Sequence, residues 1–289
     1  MISKKIILVA FATNDLKKSI KRFETQAKNS KFYNQINIFT PRNLSNKINE
    51  KLNSILRMKK KRGYAYWYWK PLILMELIKK LSDGDIIHYL DIGFHINHLS
   101  SKRFEEYINI INNKNSWLLA FQYKDMKNKN FDEIDFPKRE EYKYTKGDIF
   151  EYFKCINNQE ITHTPQFSAG NFMIKKHEKS ITFLSDWIKV FENKFELIDD
   201  TPSKTKNFIN FIENRHDQSI FSILCKNNFV QSLSAYEFDW AKKNNHRTWI
   251  HNLDYPFLAK RDLQYNLLKK FINRQIKNLK RKKRLWFGI

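Results

Sequence analysis

Short apolar runs alternate with amphipathic segments along the chain, and this alternation predicts strands separated by helices. Runs rich in apolar and β-branched residues predict strands at 5–12, 35–40, 86–90, 116–123, 166–174 and 229–233, the last a short edge strand. Apolar residues at helical spacing predict helices at 16–26, 43–58, 72–81, 101–111, 178–193 and 217–225. The polar stretch 124–165 is expected to form loops and short helices. Because the chain opens with strand, helix and strand, the pattern favours an α/β domain with a parallel sheet.

The composition indicates a folded protein with a strong positive charge. Of the 289 residues, 42% are hydrophobic and 15% aromatic, which excludes a mainly disordered chain. Lys and Arg number 53 against 30 Asp and Glu, so the formal charge is +23. Cys155 and Cys225 form neither a disulfide framework nor a zinc-ribbon spacing, which favours a reducing compartment. The apolar run 6–10 is too short for a signal peptide, and no apolar run is long enough to predict a membrane-spanning helix.

The first candidate for chemistry is Asp91, which ends the apolar strand 86–90 and lies two residues before Gly93. In open α/β sheets, ligands bind outside the carboxyl ends of the strands. A carboxylate at that position can hold a hard divalent cation that bridges a diphosphate. The alternative is a structural aspartate that caps a turn or helix, and the spacing alone leaves both interpretations open.

The second candidate is the aromatic run 64–69, which is followed by Lys70 and Pro71 at the start of a predicted helix. Aromatic rings can stack on a nucleobase or a sugar, and Lys70 would reinforce phosphate binding at the helix N-terminus. The alternative is that these rings, Trp67 and Trp69 in particular, belong to the core.

Three further groups of candidate site residues lie in or next to predicted strands and helices. The small residues at 168–170 would let a ligand or another backbone approach closely, or they form a packing bulge. Asp217 and Gln218 precede an apolar helical run, where Asp217 is equally suited to be an N-cap. His246 and His251 are weak signals, because a lone histidine is usually structural or exposed.

The order of these motifs resembles that of GT-A glycosyltransferases, most closely the bacterial surface-polysaccharide enzymes related to the galactosyltransferase-type family eight. The corresponding segments are Tyr66-Trp67-Tyr68-Trp69-Lys70-Pro71, Tyr89-Leu90-Asp91-Ile92-Gly93, Phe167-Ser168-Ala169-Gly170, Asp217-Gln218 and His246. The resemblance covers residues 5–251. It departs from the family pattern at Gly93, where the second Asp of Asp-x-Asp is expected, and at Ser168, where the family has Asn.

The resemblance implies a GT-A-like, Rossmann-type fold with a mixed, mostly parallel sheet flanked by helices, and sugar transfer from a nucleotide-sugar donor. Asp91 would act in catalysis by holding a divalent metal, Mn²⁺ or Mg²⁺, at the donor diphosphate. Because Gly93 carries no carboxylate, the metal would need a further ligand, for which His246 and His251 are the candidates, or it would be weakly held or absent. Asp217 is the candidate base or acceptor-side group, and the sequence leaves inverting and retaining transfer open. The candidate substrate-binding residues are Thr13, Asn14, Tyr66, Trp69, Lys70, Ser168, Ala169, Gly170, Asn171 and Gln218.

Residues 263–289 form a basic C-terminal segment after the predicted transferase domain at 1–262. The segment has no acidic residue, and its apolar positions recur at helical spacing. Its basic residues are Lys269, Lys270, Arg274, Lys277, Lys280, Arg281, Lys282, Lys283 and Arg284. A basic amphipathic helix with terminal aromatic residues suits an anionic membrane surface. This predicts a cytoplasmic enzyme at the inner membrane, beside a glycan or lipid-linked acceptor; the alternative is a solvated tail or a helix docked on the domain.

Two other functions compete with sugar transfer. The positive charge and the interleaved aromatic residues also fit a protein that binds RNA or single-stranded nucleic acid. Against this, the charge is spread along the chain, no RRM, KH or zinc signature occurs, and the motif at Asp91 would have no role. No specific nucleic acid is therefore expected as a partner. A noncatalytic protein with a transferase fold is the third possibility, which Gly93 keeps open.

Overall fold

The strands and helices follow the predicted alternation. The computed structural model describes residues 4–58, 62–126 and 133–260, together with residue 275. The strands are β1 (Ile6–Phe11), β2 (Gln35–Phe39), β3 (Ile86–Leu90), β4 (His95–Ile96), β5 (Leu118–Gln122), β6 (Ile134–Asp135), β7 (Phe167–Lys175), β8 (Gln231–Ser234), β9 (Ala241–Lys243), β10 (His246–Thr248) and β11 (Phe257–Leu258). The helices are α1 (Lys17–Ser30), α2 (Asn46–Leu56), α3 (Trp69–Ile78), α4 (Ser101–Asn112), α5 (Glu141–Tyr144), α6 (Gly147–Tyr152), α7 (Gln159–Thr162), α8 (Glu178–Asn193) and α9 (Asp217–Asn227).

The central sheet has the strand order β2-β1-β3-β7-β5-β8. Strand β1 lies parallel to both β2 and β3, and β5 lies parallel to β8 at the edge of the sheet. Strand β7 runs antiparallel to its two neighbours, β3 and β5. The predicted fold class, a mixed and mostly parallel sheet flanked by helices, is confirmed.

Helices cover both faces of this sheet. Helices α2, α3, α8 and α9 supply core residues on one face, and α1 and α4 supply them on the other. Alternate residues of β3 enter opposite cores, with Ile87 and Tyr89 on the first face and Ile86 and Leu90 on the second. A strand buried on both faces is apolar at nearly every position, which is why 86–90 shows no polar alternation.

Several helix boundaries differ from the prediction, and α2, predicted at 43–58, is shorter at both ends. Helix α1 continues to Ser30 and ends at Lys31, whose φ of 57° is left-handed. Helix α3 begins at Trp69 rather than at 72, because Pro71 occupies the first turn, where the helix needs no N–H donor. Just before α3, the segment Ala65–Trp67 has φ values of 46°, 50° and 64°. Residues other than glycine seldom adopt this conformation, and the sequence does not indicate it.

Smaller elements surround the main sheet. Strands β10, β9 and β6 form one small sheet, and β11 pairs with β4. Strands of two or three residues are too short to show an apolar period, so they were not predicted. Within the described ranges, no helix is long and apolar enough to cross a membrane. Apart from residue 275, the helix predicted at 263–289 lies outside the described residues.

Candidate functional site

Several of the predicted site residues meet at one edge of the sheet. Strands β1, β3 and β5 end there, and β7 begins there because it runs the opposite way. The backbone N–H of Asp91 donates to the carbonyl oxygen of Gly170 at 2.9 Å, which joins the end of β3 to the start of β7. This edge is where ligands of open α/β sheets bind.

Asp91 is half-buried directly after β3, and one of its carboxylate oxygens is fixed. Its Oδ1 accepts a hydrogen bond from the hydroxyl of Tyr89 at 2.5 Å, because residues two apart on an extended strand share a face. Burial and the neighbouring carboxylate raise the pKa of Tyr89, so the hydroxyl stays a donor. The Oδ2 faces Gly170, where an added Cβ would lie only 2.9 Å away. Glycine at 170 therefore leaves room for the carboxylate.

Lys70 and Asp217 form a buried ion pair behind Asp91. The Lys70 Nζ lies 2.7 Å from Oδ2 of Asp217, and the two side chains are only 3% and 8% exposed. Lys70 also donates to the carbonyl oxygen of Ala169 at 3.0 Å. Burial raises the pKa of Asp217, the Lys70 ammonium acts in the opposite direction, and the charge of Asp91 raises it further. The two predicted catalytic carboxylates therefore interact electrostatically.

The backbone is strained just before each member of this pair. The left-handed segment Ala65–Trp67 leads into Lys70, and His216, with a φ of 52°, immediately precedes Asp217. The two strained regions touch, because the His216 ring stacks on Trp67 with centroids 5.5 Å apart. Strained backbone persists only where the surrounding packing holds it, and it concentrates at functional sites.

Cationic side chains lie beside the small-residue segment at the start of β7. Tyr123, which follows β5, makes a side-chain hydrogen bond with Ser168. The guanidinium of Arg139 lies 4.0 Å from the centroid of the Tyr123 ring. The guanidinium of Arg215 lies 4.1 Å from the Tyr144 ring, and its charge also acts on Tyr123. The charge of Arg139 is compensated by Asp239, whose Oδ2 accepts from its Nη1 at 2.7 Å. Arg215, which is half-buried, is therefore the cation of the two that remains beside the predicted sugar pocket.

Gln218 is half-buried at the start of α9 and is held from behind by a second amide. Its Nε2 donates to Oε1 of Gln166 at 3.0 Å. Gln166 is fully buried, and its own Nε2 donates to Oε1 of Glu141 at 2.8 Å. Gln218 therefore lies next to Asp217 with one end of its amide fixed.

The two predicted stacking residues, Tyr66 and Trp69, are buried in the core. They are 2% and 4% exposed. Trp69 stacks on Phe11 with centroids 4.0 Å apart, and Tyr66 packs edge-on against Phe195 at 5.5 Å. Stacking on a donor would require these rings to become exposed, so that role stays a prediction.

The remaining predicted substrate-binding residues divide between two places. Thr13, half-buried, and Asn14, exposed, follow β1 at the same edge as the 168–170 segment. Asn171 is separate from them: it is fully buried, and its Oδ1 lies 2.8 Å from Nε2 of His88. Burial lowers the pKa of His88 to about 4, so this ring is neutral near pH 7. The structure thus groups 168–170 with Asp91 and sets Asn171 apart.

The described residues do not assemble a metal site around Asp91. Gly93 has no side chain, Asp217 is bound to Lys70, and His246 is exposed at the start of β10. Among the residues that the structure describes, no group of three or more His, Cys, Asp or Glu could hold a metal ion. The ligand set implied by the resemblance is not found in this part of the chain, and metal dependence stays a prediction.

Comparisons with known proteins show similarity of fold only. No protein-family model and no curated protein sequence matches this chain. The structure is similar to that of apo mouse xyloside xylosyltransferase 1, with 11% identity, 81% of this chain and 86% of that chain covered, and a TM-score of 0.44. It is also similar to a glycosyltransferase involved in glycosylation of the major capsid of PBCV-1, with 7% identity, 94% and 99% covered, and a TM-score of 0.45. A third similar structure is that of the galactosyltransferase LgtC in complex with donor and acceptor sugar analogues, with 11% identity, 81% of this chain and 75% of that chain covered, and a TM-score of 0.38. Similarity this distant carries no conclusion about the reaction.

Proposed function

We propose that the chain is a glycosyltransferase that moves a sugar from a nucleotide-sugar donor to a bacterial cell-surface glycan or a lipid-linked acceptor. One observation carries this proposal: Asp91, the buried Lys70–Asp217 pair and the 168–170 segment converge at the ligand-binding edge of a mostly parallel sheet. A helix cap or a turn aspartate would account for one carboxylate alone. It would not account for two interacting carboxylates, or for the strained backbone that precedes Lys70 and Asp217.

The arrangement suits the charges that sugar transfer develops. The bond between the anomeric carbon and the diphosphate breaks, so positive charge builds on the sugar and negative charge on the leaving group. The Asp91 carboxylate can stabilise the sugar, and the half-buried Arg215 is the proposed cation that offsets the diphosphate charge. The acceptor hydroxyl must lose a proton in forming its new bond. Asp217 is the proposed proton acceptor, because its raised pKa makes it a stronger base than an exposed aspartate.

Lys70 contributes by positioning other groups. It donates to Asp217 and to the carbonyl oxygen of Ala169. Contact with a donor phosphate would have to replace one of these hydrogen bonds or use the remaining N–H. Lys70 therefore fixes the Asp217 carboxylate first, and the predicted phosphate contact is secondary to that role.

We also propose that the enzyme is cytoplasmic and works at the inner-membrane surface. The support is the sequence of 263–289, which is basic, lacks acidic residues and contains the aromatic pair Trp286 and Phe287. Each basic residue near an anionic membrane contributes about 1 kcal/mol of binding. This would bring the sheet edge to a lipid-linked acceptor.

The direct test is release of nucleotide diphosphate from a panel of UDP- and GDP-sugars, with Mn²⁺ or with EDTA. We expect turnover of at least one donor by the wild type. Asp217→Asn should lower it by about 100-fold or more, the usual effect of removing a positioned acid–base group. Asp91→Asn should also lower it by about 100-fold or more, because it removes the charge that stabilises the sugar in the transition state. The matched control is Asp83→Asn, an exposed aspartate before the opposite end of β3.

Two results would contradict the proposal. The first is equal turnover by Asp91→Asn, Asp217→Asn and Asp83→Asn. The second is no turnover of any donor together with oligonucleotide binding that weakens steeply with salt, which would favour the nucleic-acid function.

A further inference from the structure

We propose that a buried ion pair behind the site determines which end of the Gln218 amide faces a bound ligand. The pair consists of Glu141 and Lys226, and Gln166 transmits its effect to Gln218. Gln218 consequently presents its carbonyl oxygen, a hydrogen-bond acceptor, to a ligand hydroxyl. That this hydroxyl belongs to a sugar rests on the proposed function; the orientation itself does not.

The relay begins at Glu141, which can only accept hydrogen bonds. Lys226 Nζ lies 2.7 Å from its Oε2, and the two side chains are 6% and 0% exposed, so the ammonium compensates the charge of this buried carboxylate. Thr145 Oγ1 donates to Oε1 at 2.6 Å, and Ser222 Oγ donates to Oε2 at 2.6 Å. The Ser222 oxygen also accepts from the backbone N–H of Phe167 at 2.9 Å, which leaves its own hydrogen for the carboxylate.

Gln166 has only one amide orientation that is compatible with this carboxylate. Its Nε2 lies 2.8 Å from Oε1 of Glu141 and 3.4 Å from the carbonyl oxygen of Tyr144. Both partners are acceptors, so a flipped amide would set oxygen against oxygen at a fully buried position. The Oε1 of Gln166 must therefore point away from Glu141, toward Gln218.

Gln218 is oriented in turn by that oxygen. Its Nε2 donates to Oε1 of Gln166 at 3.0 Å. Because the nitrogen is directed back into the protein, the carbonyl oxygen forms the other end of this half-exposed amide, next to Asp217. A site with a fixed acceptor discriminates in favour of ligands that carry a hydrogen-bond donor at that point.

The test is Gln218→Glu, measured on the full chain without any ligand. An ionised carboxylate at 218 would face the oxygen of Gln166, whereas a protonated one can donate to it. The pKa of the new carboxyl should therefore be raised in the folded state. A group with a raised folded-state pKa stabilises fully at low pH, and its contribution is lost as pH rises. We expect the urea midpoint of Gln218→Glu, relative to wild type, to fall progressively from pH 5 to pH 8.

Two controls separate this effect from a purely structural one. Gln218→Met removes the same hydrogen bond without a titrating group, so its loss should be constant with pH. The charges of Asp217, Lys70 and Arg215 act on a carboxylate at 218 whatever the orientation of Gln166. Gln218→Glu is therefore also measured in a Gln166→Met background, which keeps those charges and removes the Gln166 oxygen, and there the pH-dependent part of the loss should shrink. Gln159→Glu makes the same chemical change at an exposed position of α7 and should show no progressive loss.

A loss in the urea midpoint of Gln218→Glu that is the same at every pH would overturn the proposed orientation of Gln218. So would a variant that fails to fold at every pH. A loss that grows with pH only in this variant would support it, and so would a variant folded at pH 5 and unfolded at pH 8. No nucleotide sugar enters the experiment, so its outcome is independent of whether the chain transfers sugars.

Discussion

Replacing Lys70 with methionine should destabilise the protein far more than removing an exposed lysine. Methionine keeps much of the side-chain length but removes the charge that compensates Asp217. Removing one partner of a buried ion pair costs about 3–5 kcal/mol, because the other charge stays buried without compensation. Since the whole free energy of unfolding of a native protein is about 5–15 kcal/mol, this loss is large.

The loss of stability in Lys70→Met should also depend on pH, and the Lys70–Asp217 pair determines whether it grows or shrinks as pH falls. Burial already raises the pKa of Asp217, and without Lys70 the pKa should rise further. A protonated Asp217 costs less to bury than an ionised one. Lys70→Met should therefore lose less stability at pH 5 than at pH 8.

Urea unfolding followed by the fluorescence of the seven tryptophans measures both effects. The matched control is Lys51→Met, because Lys51 pairs with Glu192 at the surface, where the side chains are 36% and 39% exposed. Such a pair contributes about 0–1 kcal/mol. The double variant Lys70→Met/Asp217→Leu should recover most of the loss, since no buried charge remains. Equal losses for Lys70→Met and Lys51→Met would refute the reasoning.

Three further changes have defined outcomes. Gly170→Ala would bring a Cβ within 2.9 Å of the Asp91 Oδ2 while Tyr89 holds Oδ1. Nucleotide-sugar turnover should therefore fall by about tenfold or more with little change in the urea midpoint, and unchanged turnover would count against the position of Asp91. Burial lowers the pKa of His88 to about 4, so protonating this ring as pH falls from 6.5 to 4 should cost the wild type about 3 kcal/mol of stability. The measurement is urea unfolding of the wild type and of His88→Gln as a function of pH, and parallel pH curves for the two proteins would contradict the prediction. Deleting 263–289 should weaken sedimentation with phosphatidylglycerol vesicles and leave donor hydrolysis unchanged, and undiminished sedimentation would rule out the membrane role.

Local signals predicted the elements that have clear limits in the sequence. The bounds of β3 and α8 agree with the predicted 86–90 and 178–193. A turn at Gly84 and the polar Asp91 mark the two ends of the strand, and the helix is marked by apolar residues that recur over its whole length. The direction of β7 within the sheet carries no such signal, since a buried strand has the same composition whether it runs parallel or antiparallel. The left-handed turn Ala65–Trp67 was not predicted, because aromatic residues rarely adopt positive φ.

For the site, the sequence indicated the residues but not their contacts. Asp91, Lys70 and Asp217 were each singled out, yet Lys70 and Asp217 are 147 positions apart and no periodicity relates them. Lys70 was predicted as a phosphate ligand from its place at a helix start, and only tertiary packing reveals that it is buried. The stacking and core interpretations of Trp69 could not be separated in the sequence, because both require an apolar ring. Gln166 gives no signal, since its role depends on the buried carboxylate of Glu141.

The measurement that tests the central claim most directly is a thermal-unfolding screen of the wild type with UDP, GDP and their sugars, with Mn²⁺ or with EDTA. A ligand that binds only the native state raises the unfolding midpoint by mass action. We predict that one nucleotide and its sugars raise the midpoint, and that Asp91→Asn reduces this shift while Asp83→Asn retains it. No shift with any nucleotide, together with a shift from single-stranded oligonucleotides, would contradict a nucleotide-sugar site at this edge of the sheet.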